Sequence, residues 1–280
     1  MSEFVKRTLS GTVFVSCIIG CVLGHFWALS GLVLLVILLA VDEFLRLVKS
    51  PRSLRIFAAL SSALIWSVAA LSAYPWMPAL VLAYMAMLIA CMLDEIWNLS
   101  GKPLQNWGNL LISQIMIAMP LCSMLLLERL DKWLLLALFV LIWVNDTGAY
   151  CVGTLTAKRA QGNHKMTPHI SPKKSWEGFI GGVVFCLVTA YLLARCGWFD
   201  TISANGHEVL IAMIFAVFAS LFGTMGDLME SLFKRSIGVK DSGRFLPGHG
   251  GVLDRFDSIL LASPILTAFC WICYFIAPLL

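Results

Sequence analysis

Nine separate stretches of mostly apolar residues, centred near residues 18, 34, 65, 85, 117, 139, 185, 216 and 268, leave this chain little choice of solvent. A run of about 20 apolar residues is what a helix needs to cross the hydrocarbon core of a bilayer. Backbone N–H and C=O groups must be satisfied within the chain in lipid, so each stretch is expected to be an α-helix. The fold class is therefore an all-α polytopic membrane protein with about nine transmembrane helices. With 60% hydrophobic and only 13% charged residues, a soluble domain of this length is excluded. The first stretch starts close to the N-terminus but lacks a small-residue cleavage site, and it is read as a retained helix. No appended soluble domain, fixed-period repeat or low-complexity linker is expected.

Lys and Arg set the orientation, because cytoplasmic loops carry them in excess. With alternating spans and a cytoplasmic N-terminus, two fall in 1–10, four in 42–56, one in 94–107, five in 151–175 and five in 228–257. Only Arg129, Lys132 and Arg195 then lie on the far side. Both polar, motif-bearing loops become cytoplasmic, so a charged substrate comes from the cytoplasm. The bilayer is the expected partner, and nucleic acid is not.

Cys17, Cys21, Cys91, Cys122, Cys186, Cys270 and Cys273 lie in apolar helices. The Cys270/Cys273 pair has no His or second Cys pair beside it and reads as packing rather than metal binding. Trp residues near the span ends read as an interfacial belt.

Charge gathers instead between Gly226 and Asp257, where Asp227, Glu230, Asp241, Asp254 and Asp257 share one short region with Lys234, Arg235, Lys240, Arg244 and Arg255. Ionisable residues at a membrane surface are a functional hypothesis by default. If the eighth span continues past the surface, Asp227, Ser231 and Lys234 fall at i, i+4 and i+7 on one face. Asp254 and Asp257 repeat the pattern at the start of the ninth span. Two helix ends each offering Asp would make an oxygen-rich site suited to Mg²⁺. Between them, Gly248-His249-Gly250-Gly251 is a turn whose backbone can approach a ligand and offer N–H groups to an anion. Carboxylates for metal, glycines for phosphate, and Lys and Arg for leaving-group charge form a kit for phosphoryl or nucleotidyl transfer. The bland alternative is a loop in which acids and bases pair with one another.

A second polar block contains Asp146-Thr147-Gly148-Ala149-Tyr150 and Ser171-Pro172-Lys173-Lys174-Ser175-Trp176-Glu177-Gly178. Ser171-Pro172 reads as an N-cap followed by proline at the first helical position. That reading puts Lys173 and Lys174 on the opening turn of the seventh span, where a helix N-terminus attracts phosphate. Asp146 closes the sixth span, where it binds metal, hydrogen-bonds a nucleotide or holds Lys173. Tyr150 and Trp176 either stack a base or anchor the interface. Glu43 and Glu95 are read as surface or structural groups.

The run Ser231-Leu-Phe-Lys234-Arg235, then Lys240-Asp241, then Leu246-Pro-Gly-His249-Gly250-Gly251-Val-Leu-Asp254-Arg255-Phe-Asp257 resembles the signature of the phosphatidate cytidylyltransferases, also called CDP-diacylglycerol synthases. The 146–150 and 170–178 blocks are similar to that family as well, whereas the first 100 residues match only in hydrophobic layout. The resemblance implies reaction of CTP with phosphatidic acid to give CDP-diacylglycerol and pyrophosphate, with Mg²⁺ and with a further cation such as K⁺ left open. It implies Asp227 and Asp254 as principal metal ligands, with Asp257 and Ser231 as weaker or second-rank candidates. Lys234 and Arg255 are expected to face phosphates. Asp146, Ser171, Lys173, Lys174, Ser231, Arg235, Lys240, His249, Gly250 and Gly251 are expected to bind substrate, with a structural role for His249 equally open. Residues 1–100 would be a scaffold carrying dimer contacts, and 101–280 the catalytic region with its signature at 231–257. A homodimer in a bacterial inner membrane, with the site facing the cytoplasm, completes the expectation.

Three rivals differ chemically. A CTP-dependent lipid-alcohol kinase would need a base for its hydroxyl. A CDP-alcohol phosphotransferase would need an Asp-Gly-x-x-Ala-Arg block that this sequence lacks. A transporter would place its charges near the midplane on broken helices, rather than gathered at one side.

Overall fold

The computed structural model of the chain describes residues 3–98, 101–158, 162–203, 206–243 and 250–277, with side chains from residue 11 onward except at 98. All nine apolar stretches are helical: α1 (Glu3–Leu23), α2 (Phe26–Leu47), α3 (Arg52–Ala70), α4 (Met77–Asn98), α5 (Pro103–Ser113) with α6 (Met119–Leu130), α7 (Lys132–Ala157), α8 (Trp176–Arg195), α9 (Glu208–Ser236) and α10 (Leu253–Ile276). A π-helical turn, Gln114–Ala118, joins α5 to α6 into one element. Among the described residues, eight helices are long and apolar enough to cross a membrane, and the apolar part of α1, Gly11–Leu23, is shorter. Among the described residues a single antiparallel pair, β1 (Lys165–Thr167) and β2 (Ser171–Ser175), lies between α7 and α8.

The chain divides into two compact units, one of residues 1–126 and 241–256, the other of 127–240 and 257–280. In the first unit α2 packs on α1 and α3, and α3 on α4. Phe14 meets Phe256 edge to face at 5.6 Å. The π turn is held by a buried polar knot, in which the Gln114 amide donates to Ser62 Oγ at 3.1 Å and to Ser113 Oγ at 3.2 Å. Hydroxyls and amides in an apolar interior are tolerated when they satisfy one another in this way.

The second unit is built on α7, α8 and α9. Leu134 to Phe139 are all buried, as befits a helix that is apolar all round and sits inside the protein. Asp131 caps α7, accepting from Trp133 N at 2.9 Å. One face of α8 is small: Gly178, Gly181, Gly182, Cys186, Ala190 and Ala194 are buried. Its opposite face carries Ile180, Val184, Val188 and Leu192 at four-residue spacing, all more than half exposed. Small residues let helices in lipid approach closely, and here the approach leaves no spare volume. A Cβ on Gly182 would stand 2.5 Å from Asn145 Oδ1, and one on Gly181 2.5 Å from the Val152 side chain. Gly226 of α9 does the same against α10, where a Cβ would meet the Asp257 carbonyl oxygen at 2.5 Å. These contacts bring the polar residues of α7, α9 and α10 together.

Candidate active site

Within the second unit, an open cavity of about 480 Å³ is lined by residues of α7, the β1–β2 pair, the start of α8, and α9. Asp146, Thr154, Lys165, Lys173, Lys174 and Asp227 supply its polar chemistry. The α9 helix runs unbroken through Asp227, Ser231 and Lys234, as the spacing predicts. Ser231 Oγ donates to Asp227 Oδ1 at 3.3 Å. On the other carboxylate oxygen, Lys174 Nζ stands 2.8 Å from Asp227 Oδ2. The same ammonium donates to the Thr224 carbonyl oxygen at 3.2 Å. Asp146 and Asp257 both interact electrostatically with Asp227 and with Lys174. Lys174 is thus the cation around which three carboxylates are arranged.

A polar layer lies beneath these groups. Buried Asn145 accepts a short hydrogen bond from Ser220 Oγ and donates to Thr224 Oγ1 at 3.3 Å. Asn145 precedes Asp146, and Thr224 presents the carbonyl that holds Lys174, so the layer fixes both sides of the cavity. Sequence reasoning did not single out Asn145, Ser220 or Thr224. Three small polar residues inside apolar spans were the available signal.

Two sequence expectations need correction. Ser171 does not cap the seventh span: Ser171–Ser175 is strand β2, and Ser175 is the N-cap of α8, accepting from Gly178 N at 3.1 Å. Lys173 and Lys174 therefore sit on an extended strand, whose alternation leaves Lys173 exposed and turns Lys174 inward. Pairing of β2 with β1, Lys165 opposite Ser175, outweighs the local Ser-Pro signal. Asp146 does not close its span either, because α7 continues to Ala157. The additional turns carry Tyr150, Gly153 and Thr154, which line the cavity.

The remaining candidates are distributed as follows. Lys234 Nζ lies 2.5 Å from Glu230 Oε2 one turn back on α9. Arg235 Nε donates to the Ile170 carbonyl oxygen at 3.4 Å, tying α9 to the β1–β2 turn. Lys240 and Arg255 are exposed. Arg244 and His249 lie outside the described residues. Asp254 belongs to the first unit and accepts from Ser242 N at 3.1 Å and Gly251 N at 3.0 Å. Gly250 has φ +83°, a conformation that strains any other residue. The Gly251 backbone N–H is thus engaged by a carboxylate of the protein itself.

Among the described residues no three His, Cys, Asp or Glu side chains form a complete metal cage. Mg²⁺ does not require one, since it takes one or two carboxylates and fills its octahedron with water and phosphate oxygens. The donors around Asp227 fit that cation in kind. They are carboxylate and hydroxyl oxygens, and neither thiol nor imidazole lines the cavity.

A family model described as the cytidylyltransferase family matches residues 5–273 of the chain. Among curated proteins, the phosphatidate cytidylyltransferase of Staphylococcus haemolyticus (strain JCSC1435) is 45% identical over 128 residues. That of Staphylococcus aureus (strain COL) is 47% identical over the same length. The matched segment is 46% of this chain and 45% of each relative, so it spans less than half of the curated proteins it resembles.

Proposed function

This chain belongs to the cytidylyltransferase family, and we propose that it transfers the cytidylyl group of CTP to phosphatidic acid, releasing pyrophosphate and forming CDP-diacylglycerol. The observation that carries the reading is the cavity on which Asp146, Asp227 and three lysines converge, backed by the name of the relatives at 45–47% identity. In this reading a phosphate oxygen of the lipid forms a bond to the α-phosphorus of CTP, and the bond from that phosphorus to the α–β bridging oxygen breaks. A phosphate monoester near pH 7 is already largely dianionic, since its second pKa is about 6. No strong general base is needed. The work lies in bringing two polyanions together, so orientation and charge neutralisation dominate.

Lys165 and Lys173, on the rim, would receive the triphosphate. Lys174 would exchange part of its contact with Asp227 for the reacting phosphate. Asp227 and Asp257, with Ser231 beside Asp227, would hold Mg²⁺, which neutralises phosphate oxygens when bound, and Asp254 keeps the metal-ligand role that the family resemblance implies. The Asn145–Ser220–Thr224 layer keeps Lys174 and Asp146 in register while substrate enters. We place the site at the cytoplasmic face of a bacterial inner membrane, in keeping with the distribution of Lys and Arg and the bacterial relatives, and expect a homodimer.

The test uses purified protein in detergent with Mg²⁺, phosphatidic acid, and CTP labelled separately in cytosine and in the γ-phosphate. Cytosine label entering the lipid with release of pyrophosphate is the expected result. Transfer of γ-label to an added lipid alcohol would replace the reading with a kinase, and absence of turnover by folded protein would overturn it.

A further inference from the structure

The described part of the signature is stapled from a distance. Glu43, near the C-terminal end of α2, sends its carboxylate into the turn that precedes α10. Glu43 Oε2 accepts from Val252 N at 2.9 Å, and Oε1 accepts from Leu253 N at 3.4 Å and, in a short hydrogen bond, from Ser242 Oγ. The space is tailored to it. A Cβ on Gly243 would stand 2.9 Å from Glu43 Oε2, and one on Gly251 would overlap both Glu43 Oε1 and Ser242 Oγ. Asp254 holds the same two segments through Ser242 N and Gly251 N. All of these residues belong to one unit.

We propose that Glu43 is a positioning residue for the signature. It anchors the start of α10 and the Ser242–Gly243 turn, and through them it fixes the orientation of the Asp254 carboxylate. The physical reason is geometric economy. Asp254 holds the Ser242 and Gly251 backbone N–H groups, and a carboxylate bonded to a turn moves with the turn it holds. A second carboxylate, fixed on a separate helix, pins the turn to α2, so that Asp254 inherits the rigidity of the helix. Charge also suits the place, because a carboxylate is favoured where free N–H groups open a helix. Glu43 acts on the reaction through Asp254, which the family resemblance implies as a metal ligand. The catalytic half of the proposal rests on the cytidylyl-transfer reading above.

Two measurements test it on full-length purified protein: amide hydrogen exchange over residues 250–256, and kcat and KM for CTP and phosphatidic acid. The variants are Glu43→Gln, which turns an amide NH₂ toward donors, and the milder Ser242→Ala, which removes one donor and leaves the backbone bonds. Glu43→Gln is expected to speed exchange over 250–256 without changing it in α7 to α9. It should also lower kcat by roughly tenfold to a hundredfold, as misorientation of a reacting group does, with either KM changed less than threefold. Ser242→Ala should show the same pattern, attenuated. Unchanged exchange at 250–256 overturns the proposal, as does faster exchange with kinetic constants within twofold of wild type. If wild-type protein itself transfers no cytidylyl group, the failure belongs to the functional reading, and exchange alone then decides whether Glu43 holds the turn.

Discussion

Replacing Lys174 with Met removes an ammonium 2.8 Å from Asp227 and 3.2 Å from the Thr224 carbonyl oxygen, while keeping an unbranched stem. A hydrogen bond to a charged group contributes about 1.5–3 kcal/mol. The Lys174 and Asp227 side chains are 23% and 33% exposed, so screening pulls the pair toward the low end of that range. Repulsion among Asp146, Asp227 and Asp257, no longer offset by the ammonium, adds to this loss only weakly, since solvent reaches the cavity. The expected destabilisation is therefore about 1–2 kcal/mol, a fall in Tm of a few degrees. Catalysis should suffer much more. A fixed charge facing the reacting phosphates contributes about 2.7–4 kcal/mol in the transition state, or roughly 10²–10³ in kcat. Lys174→Arg keeps the charge but not the compact head, and should recover only part of that factor. The assay is cytosine label incorporated into phosphatidic acid at saturating CTP, with thermal unfolding measured on the same preparation. A Lys174→Met protein with kcat/KM within threefold of wild type would refute the assignment, whatever its Tm.

Asp227→Asn and Asp254→Asn should each abolish turnover while leaving expression and detergent extraction intact; near-normal activity would remove that acid from the site. Chelation with EDTA should stop wild-type turnover, and added Mg²⁺ should restore it. Gly182→Ala must push a methyl group against Asn145 Oδ1, and overpacking of this kind costs about 1–3 kcal/mol; an unchanged Tm would contradict the tight α7–α8 crossing. Ser175→Ala deletes the α8 cap, worth about 1 kcal/mol, and also the hydroxyl that accepts from Asn163 Nδ2 at 3.3 Å. Its KM for CTP should rise more than its kcat falls, as steady-state kinetics would record.

Much of the architecture was legible because the bilayer imposes a one-dimensional rule: every apolar stretch long enough to span is a helix. The Asp227–Ser231 contact was legible too, because neighbours at i and i+4 are fixed by helix geometry alone. Where the reading failed, local signals competed. Ser171-Pro172 looked like a helix start, but pairing with Lys165–Thr167 makes it the beginning of a strand. Asp146 looked terminal because a polar residue seemed to end the span, yet α7 carries its polar end onward through Ala157. Glu43 was passed over for a different reason. Its partners Ser242 and Val252 are 199 and 209 positions away in sequence, and no periodicity reaches that far. The Asn145–Ser220–Thr224 layer escaped notice likewise, since each member is an isolated small polar residue until the helices are assembled.

The length of α9 has a consequence for the membrane itself. Its 29 residues extend about 43 Å at 1.5 Å per residue, against a hydrocarbon thickness of about 30 Å. Tilt alone would have to reach about 45° to hide the excess. Measured from Glu208, Asp227 stands about 29 Å along the axis, which, were Glu208 at one interface, would be level with the opposite edge of the oil. The helix is in effect a gauge, with its zero at one interface and its acid at the other. A bilayer with longer acyl chains draws Asp227 beneath the headgroups, and a thinner one lifts it into water, so hydrophobic mismatch sets how far the acid stands from the plane in which lipid phosphates lie.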